Sequence, residues 1–262
     1  MRVIFIRPWQ ARLIMALAFA MFLAGSYHLA TPQLMTPTLG PPPKDEPLFA
    51  VPNAEGMVGL AVNVDWGSEQ LPAMLAHFRQ AGAKVTFFLT GRWAEQNTEL
   101  ARLLAEEGHE VGNHGLSHVH PKQLDERQLT EHITKNQQVL ESIVGQVSKL
   151  YAPPYGEWDR RIVRVAAALG YRTVLWTLDT IDWQDPPPER ILQRVLPKVQ
   201  SGSIVLMHPT ASTVSALPQL LRGLEEKGLR AVTLSTMLAA SEGRLQGEPS
   251  MSRITFQEPG SS

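Results

Sequence analysis

The chain has 262 residues, 24 basic against 25 acidic side chains, a formal net charge of −1 and a pI near 6.7. That length holds one medium domain with a full core, and the near-neutral balance excludes the basic stripe of a nucleic-acid binder. There is no cysteine, so disulfides and thiolate chemistry are excluded, and any metal must be held by His, Asp or Glu.

Arg2, Arg7 and Arg12 precede an unbroken apolar run over residues 13–24, a positive region followed by a hydrophobic one, as in an export signal. The run is short against the ~20 residues of a bilayer span. Residues 25–30 extend it, with Tyr27 and His28 placed for the interface, and Ala24-Gly25-Ser26 offers small residues for cleavage. Residues 1–30 are therefore expected to be a cleaved signal peptide or a retained membrane anchor, and either one exports the domain. Residues 31–56 are proline-dense around Pro41-Pro42-Pro43, lack apolar periodicity and read as an extended tether.

From residue 57 the texture changes. The apolar, β-branched run over 58–64 reads as a buried strand, and 71–80 has helical spacing closed by Ala81-Gly82. A strand over 84–89 and a helix over 94–107 follow, then a short strand reaching Val111 and a long helix from about Asp125 to Val144. Strands are expected at 149–152, 171–178, 203–207 and 229–234, and helices at 160–169, 187–199 and 214–228. About seven βα units without a sequence repeat imply an α/β fold with a parallel sheet covered by helices. Polar residues recur at strand C-terminal ends, which favours a distorted or incomplete (β/α) barrel over an open sheet. The domain is placed at 57–240, and the polar residues 241–262 are expected to form a flexible tail. No apolar seam suggests an obligate dimer, so a monomer is expected.

Four segments carry chemistry. Asp65 follows the first strand directly, as a loop cap or as a general base at the sheet rim. His114 and His118 are four apart, which on a helical turn puts both imidazoles on one face, within reach of one ion. Asp179 and Asp182 precede Trp183 where a strand ends, and His208 follows Ser-Ile-Val-Leu-Met. Each alone is ordinary, a cap or a strand-end hydrogen bond; all four at strand ends, in this order, are not. His120 is off the helical face, and His77, His109 and His132 are expected to face solvent.

The set resembles the polysaccharide deacetylases of the NodB-homology type, the carbohydrate esterase family 4 domain. The residues that carry the resemblance are Asn63-Val64-Asp65-Trp66-Gly67, Asn113-His114-Gly115-Leu116-Ser117-His118, Tyr151-Ala152-Pro153-Pro154-Tyr155-Gly156, Asp179-Thr180-Ile181-Asp182-Trp183 and Leu206-Met207-His208. They cover about residues 58–238. The tether and the Val-Asp-Trp-Gly-Ser-Glu variant are similar to the sporulation-associated branch of spore-forming Gram-positive bacteria. The resemblance implies metal-assisted hydrolysis of an N-acetyl group on an envelope glycan, peptidoglycan or chitin-like. His114 and His118 would bind a divalent ion, with zinc the expected one. Asp65 would be the general base, and the Tyr155 backbone N–H would stabilise the oxyanion. His208, oriented by Asp182, would protonate the departing amine. Trp183 and Leu206 would wall the acetyl pocket, with Pro153 nearby.

Two positions depart from the family pattern. Trp66 stands where the family has its metal-binding aspartate, and Ala152 where it has an arginine beside the base. Trp66 is a filler of that volume or a stacking platform for a sugar ring, and Glu69 is the nearest replacement carboxylate in sequence. The first expectation is an exported deacetylase. The second is an inactive, membrane-tethered glycan-binding protein of envelope or spore remodelling.

Overall fold

In strand β1 (Met57–Val64) every residue from Val58 onward is buried. A continuous apolar run, rather than alternation, is what a parallel strand covered on both faces needs. Its even-numbered residues Val58, Leu60, Val62 and Val64 join the core beneath the helices, whereas Ala61 belongs to a second core inside the sheet. The side-chain period of two therefore sends 61, 63 and 65 to the inner face, and Asp65 emerges at its rim.

The computed structural model describes residues 46–245. The expected signal or anchor at 1–30, the tether up to residue 45 and the tail beyond 245 lie outside the described residues. Around β1 the sheet adds β2 (Thr86–Leu89), β3 (Glu110–Asn113), β4 (Leu150–Tyr151) and β5 (Arg172–Thr173) on one side. On the other it adds β7 (Ile204–Met207) and then β6 (Leu178–Asp179), and every pairing is parallel. A short β8 (Arg230–Val232) pairs with the start of β1. The two edge strands, β5 and β6, are separated in sequence only by residues 174–177, so one stretch of chain spans the opening of the curled sheet. The expected incomplete (β/α) barrel is the observed fold. The single strand expected over 171–178 is this closure, divided between opposite edges.

Residues 46–56, assigned to the tether by their composition, pack on the domain. Leu48 donates its N–H to Thr173 and accepts one from Leu175, both at 2.8 Å, and Val51 donates to Gly202 at 2.8 Å. Leu48, Val51 and Ala54 are each 1% exposed. This segment laces β5 to the turn before β7 and covers the inner core.

The outer core lies between the sheet and α1 (Leu71–Gln80), α2 (Gly91–Gln96), α3 (Thr98–Glu106), α6 (Pro188–Val195) and α7 (Ala211–Glu226). Helices α4 (Glu126–Val144) and α5 (Arg160–Ala168) bury Leu129, Ile133, Ile162 and Ala166 against Tyr151. Burying each such Leu or Ile contributes about 1.5–3 kcal/mol over leaving it exposed, which keeps the rim that carries the polar residues stiff. The helix expected over 94–107 is interrupted at Asn97, where φ is −130° and the side-chain amide donates to the Trp93 carbonyl. A final helix, α8 (Leu234–Leu245), runs into the expected tail and places Leu234 and Met237 in the inner core. Among the described residues no helix is long and apolar enough to cross a membrane.

His109 and His132, expected to face solvent, are buried. The His109 ring lies edge-on to Phe78 and Phe87, and its Nδ1 accepts the Val85 N–H. Burial pushes the pKa of each down to about 4 from the usual 6.5, and Lys84 adds to the effect at His109. A depressed histidine is neutral when folded but takes a proton when unfolded. Its stabilising effect is complete above the unfolded pKa and is lost as pH falls from 6.5 towards 4. Each should cost about 1.4 kcal/mol per pH unit within that window. Urea midpoints measured at pH 7, 6 and 5 are expected to fall; equal midpoints at pH 7 and 5 would show that neither ring is buried neutral.

Candidate functional site at the strand C-terminal ends

The loop after β3 begins with a buried polar clamp. Asn113 Oδ1 accepts from the Gly115 N–H and from Asn136 Nδ2, both at 2.8 Å. Its own Nδ2 donates to the Ile133 carbonyl at 2.9 Å and to the Tyr171 hydroxyl at 3.2 Å. Gly115 follows at φ +81°, and a Cβ there would meet His132 Nε2 at 1.9 Å, so only glycine passes. His114 and His118 thus sit on a clamped loop and not on the helical turn that their spacing suggested. Their ring centroids are nevertheless 5.3 Å apart.

His114 is 1% exposed, and its Nδ1 lies 2.6 Å from the Ala152 carbonyl oxygen. A carbonyl only accepts, so the proton is on Nδ1 and Nε2 keeps a free lone pair. Burial, reinforced by His118, holds its pKa near 3, and the ring is neutral at pH 7. Burial also lowers the pKa of His118, which Asp65 opposes. These are two imidazoles in ligand-competent form.

Asp65 lies at the end of β1, and its Oδ1 accepts the Thr90 hydroxyl at 2.6 Å. Thr90 also caps α2 by accepting the Trp93 N–H. The next residue, Trp66, is 47% exposed, and its indole lies parallel to the His208 ring at 6.1 Å between centroids and 8° between planes. Gly67 at φ +78° permits this approach, because a Cβ there would stand 2.2 Å from the Pro209 carbonyl oxygen.

The loop after β6 is tightly wound. Asp179 Oδ1 accepts the Ile181 N–H at 2.8 Å, and Ile181 adopts φ +53°, which a β-branched residue reaches only under constraint. Asp182 follows, fully buried. It accepts the His208 backbone N–H at 2.6 Å, His208 Nδ1 at 2.7 Å and the Thr213 hydroxyl. This fixes the His208 ring with Nε2 directed away from Asp182. Leu206, paired with Ala61 and Asp179, is 4% exposed in the barrel wall, and Trp183 is 56% exposed.

Pro153 and Pro154 are buried and carry the chain to Tyr155, which has φ +60° and a ring 54% exposed. That ring stacks on His120 at 3.9 Å and 8°, and meets His118 edge-on at 4.3 Å. His120 Nδ1 is 3.0 Å from Glu157 Oε1. His120 is therefore a wall of the site and not a bystander. Sequence reasoning missed Thr90, Asn136 and Thr213, and quoted Asn113 in its motif without reading its clamping role. A threonine capping the helix after a strand was a readable signal for Thr90, but Asn136 and Thr213 act across the fold and leave no local trace.

Catalytic zinc sites take three protein ligands and leave a position open. The residues here supply two imidazoles. Trp66 has no ligand atom, Glu69 is exposed, and among the described residues no three His, Asp or Glu side chains converge as a metal site. The ligand set does not fit the expected zinc site.

The family model for polysaccharide deacetylase matches residues 50–174. A peptidoglycan-N-acetylglucosamine deacetylase of Bacillus cereus is 32% identical over 196 residues, covering 72% of this chain and 92% of that protein. The uncharacterized protein YlxY of Bacillus subtilis is 36% identical over 193 residues, covering 74% of this chain but only 60% of YlxY. Among solved structures, BA3943 of Bacillus anthracis, described as a CE4 family pseudoenzyme, superposes with a TM-score of 0.72 at 36% identity. That match covers 74% of this chain and 69% of BA3943, and a BA3943 mutant described as having restored enzymatic activity superposes equally well. With its fold, its motif order and these matches, the chain belongs to the polysaccharide deacetylase family.

Proposed function

We propose that this chain is an envelope-glycan-binding member of the family that holds N-acetylated glycan in the groove without releasing acetate. One observation carries the reading: Trp66, which offers no ligand atom, stands where the family pattern has its metal-binding aspartate, and its indole lies parallel to the His208 ring. The groove is otherwise built to hold sugar. Among the described residues five large hydrophobic side chains are exposed, and three of them, Trp66, Tyr155 and Trp183, belong to this site. Exposed aromatic faces are stacking surfaces for the apolar faces of sugar rings. The N-terminal arginines and apolar run, with the proline-rich segment after them, would tether a monomeric domain outside the membrane, against peptidoglycan or a chitin-like polymer.

The second reading, a working deacetylase, is favoured by the hydrogen bonds of Asp65 to Thr90 and of Asp182 to His208 and Thr213. In that case Asp65 would take the proton of the attacking water and His208 would return one to the leaving amine. Binding of an N-acetylglucosamine oligomer, followed by tryptophan fluorescence and calorimetry, tests the first reading. Trp183→Ala is expected to weaken it about tenfold, the loss of roughly one stacked ring. No binding by the wild type, or equal affinity of Trp183→Ala, would remove it.

A further inference from the structure

Asn63 is the one polar side chain of β1 inside the barrel, and neither reading assigns it a role. It lies two residues before Asp65 and so shares its inner face, one layer deeper. Asn63 pairs with Phe88, and because Val62 pairs with Met207, His208 is its neighbour on the other flank. The residue is 6% exposed, and its Oδ1 is sealed from solvent with no hydrogen-bond partner. The acid and histidine groups around the groove have partners, Asp65 in Thr90, Asp182 in His208 and Thr213, and His114 in Ala152. Thr180 Oγ1 in the loop after β6 and Glu157 Oε2 beside His120, by contrast, share with Asn63 Oδ1 the lack of one.

A buried amide with an unpaired acceptor weakens a fold, and an apolar side chain such as valine or the equally branched leucine would avoid that cost. Such a group in a strand core is explained when something outside the chain uses it. Oδ1 is among the sealed, unpartnered atoms and Nδ2 is not, so the Nδ2–H₂ end is the one left open on the inner face. An N–H donor beneath Asp65 and beside His208, below a rim of exposed aromatics, matches the carbonyl oxygen of an acetamido group.

We propose that Asn63 is a specificity residue: its Nδ2–H donates to the acetyl carbonyl of the sugar seated in the groove and so selects N-acetylated over free-amine units. The inference rests on the glycan-binding reading above and names the group within the glycan that the floor recognises. It also accounts for the unpaired acceptor, since the amide is retained for its donor.

The test compares wild type, Asn63→Leu and Asn63→Val by calorimetry, with a tetramer of N-acetylglucosamine and the matching glucosamine tetramer as probes, and records a thermal melt of each protein. The wild type is expected to prefer the acetylated tetramer. Asn63→Leu should lose about tenfold of that preference, one hydrogen bond's worth, while melting at or above the wild-type temperature. Asn63→Val repeats the measurement should the leucine variant fail to fold. Full retention of the preference in a folded variant overturns the assignment. So does a drop of several degrees in both variants, which would make Asn63 a structural group of the protein itself, and so does a wild type that binds both tetramers equally. A wild type that binds neither tetramer overturns the glycan-binding reading instead.

Discussion

On the glycan-binding reading proposed above, Trp66→Asp is expected to turn a chain that holds acetylated glycan without turnover into one that releases acetate. His114 and His118 already present neutral rings, and the His114 tautomer is set by the Ala152 carbonyl. What the pair lacks is a third, anionic ligand, and an aspartate at position 66 would supply it from a loop pinned by the contact of Gly67 with Pro209. The same change removes the indole from the face of His208. Zinc content should rise towards one per chain. Acetate release from an N-acetylglucosamine oligomer should rise roughly a hundredfold or more above the wild type, since even outer-shell groups are worth 10–100-fold. Trp66→Phe, which clears part of the ring without adding a ligand, should do neither. A Trp66→Asp protein that stays zinc-free and inactive would show that the two histidines are not placed to share an ion.

Asp182→Ala is the change expected to cost most stability. The carboxylate is fully buried and accepts from the His208 N–H, the His208 ring and the Thr213 hydroxyl. Alanine strands all three donors and joins three elements, β6, β7 and α7, less firmly. Removing one member of such a buried pair costs about 3 kcal/mol or more, which for a domain of this size lowers the melting temperature by roughly 10 °C. Asp182→Asn keeps one acceptor and should lose about half as much. It would also turn an N–H towards His208 Nδ1 and so move the ring proton to Nε2, a shift that nitrogen NMR reads directly. Unchanged melting of Asp182→Ala would mean that the array is not formed in solution.

These expectations lean on a fold that was largely legible in the sequence. Helix α1 is where its periodicity put it, because its apolar spacing, its proline in the first turn and Ala81-Gly82 at its end all agree. The site residues could be located because each motif is local, with an acid or histidine directly after an apolar strand. What sequence missed depends on contacts between distant segments. His109 looks like a surface residue in a charged stretch, yet Phe78 and Phe87 enclose it. Residues 46–56 look like more of the tether until Leu48 is seen paired with β5. The break between β5 and β6 has no local signal, since the 171–178 segment is uniformly strand-like and only the closure of the sheet divides it. In the site, the histidine spacing was right and its geometric reason was wrong: a clamped loop through Gly115, and not a helical turn, brings the rings together.

The most direct measurement is acetate release by the purified wild-type domain from an N-acetylglucosamine oligomer, with zinc, cobalt or nickel added, and oligomer binding recorded on the same sample. Binding without acetate, and metal content well below one per chain, is the predicted result. Turnover that disappears in His208→Ala would contradict it and make the chain a deacetylase working with two histidines.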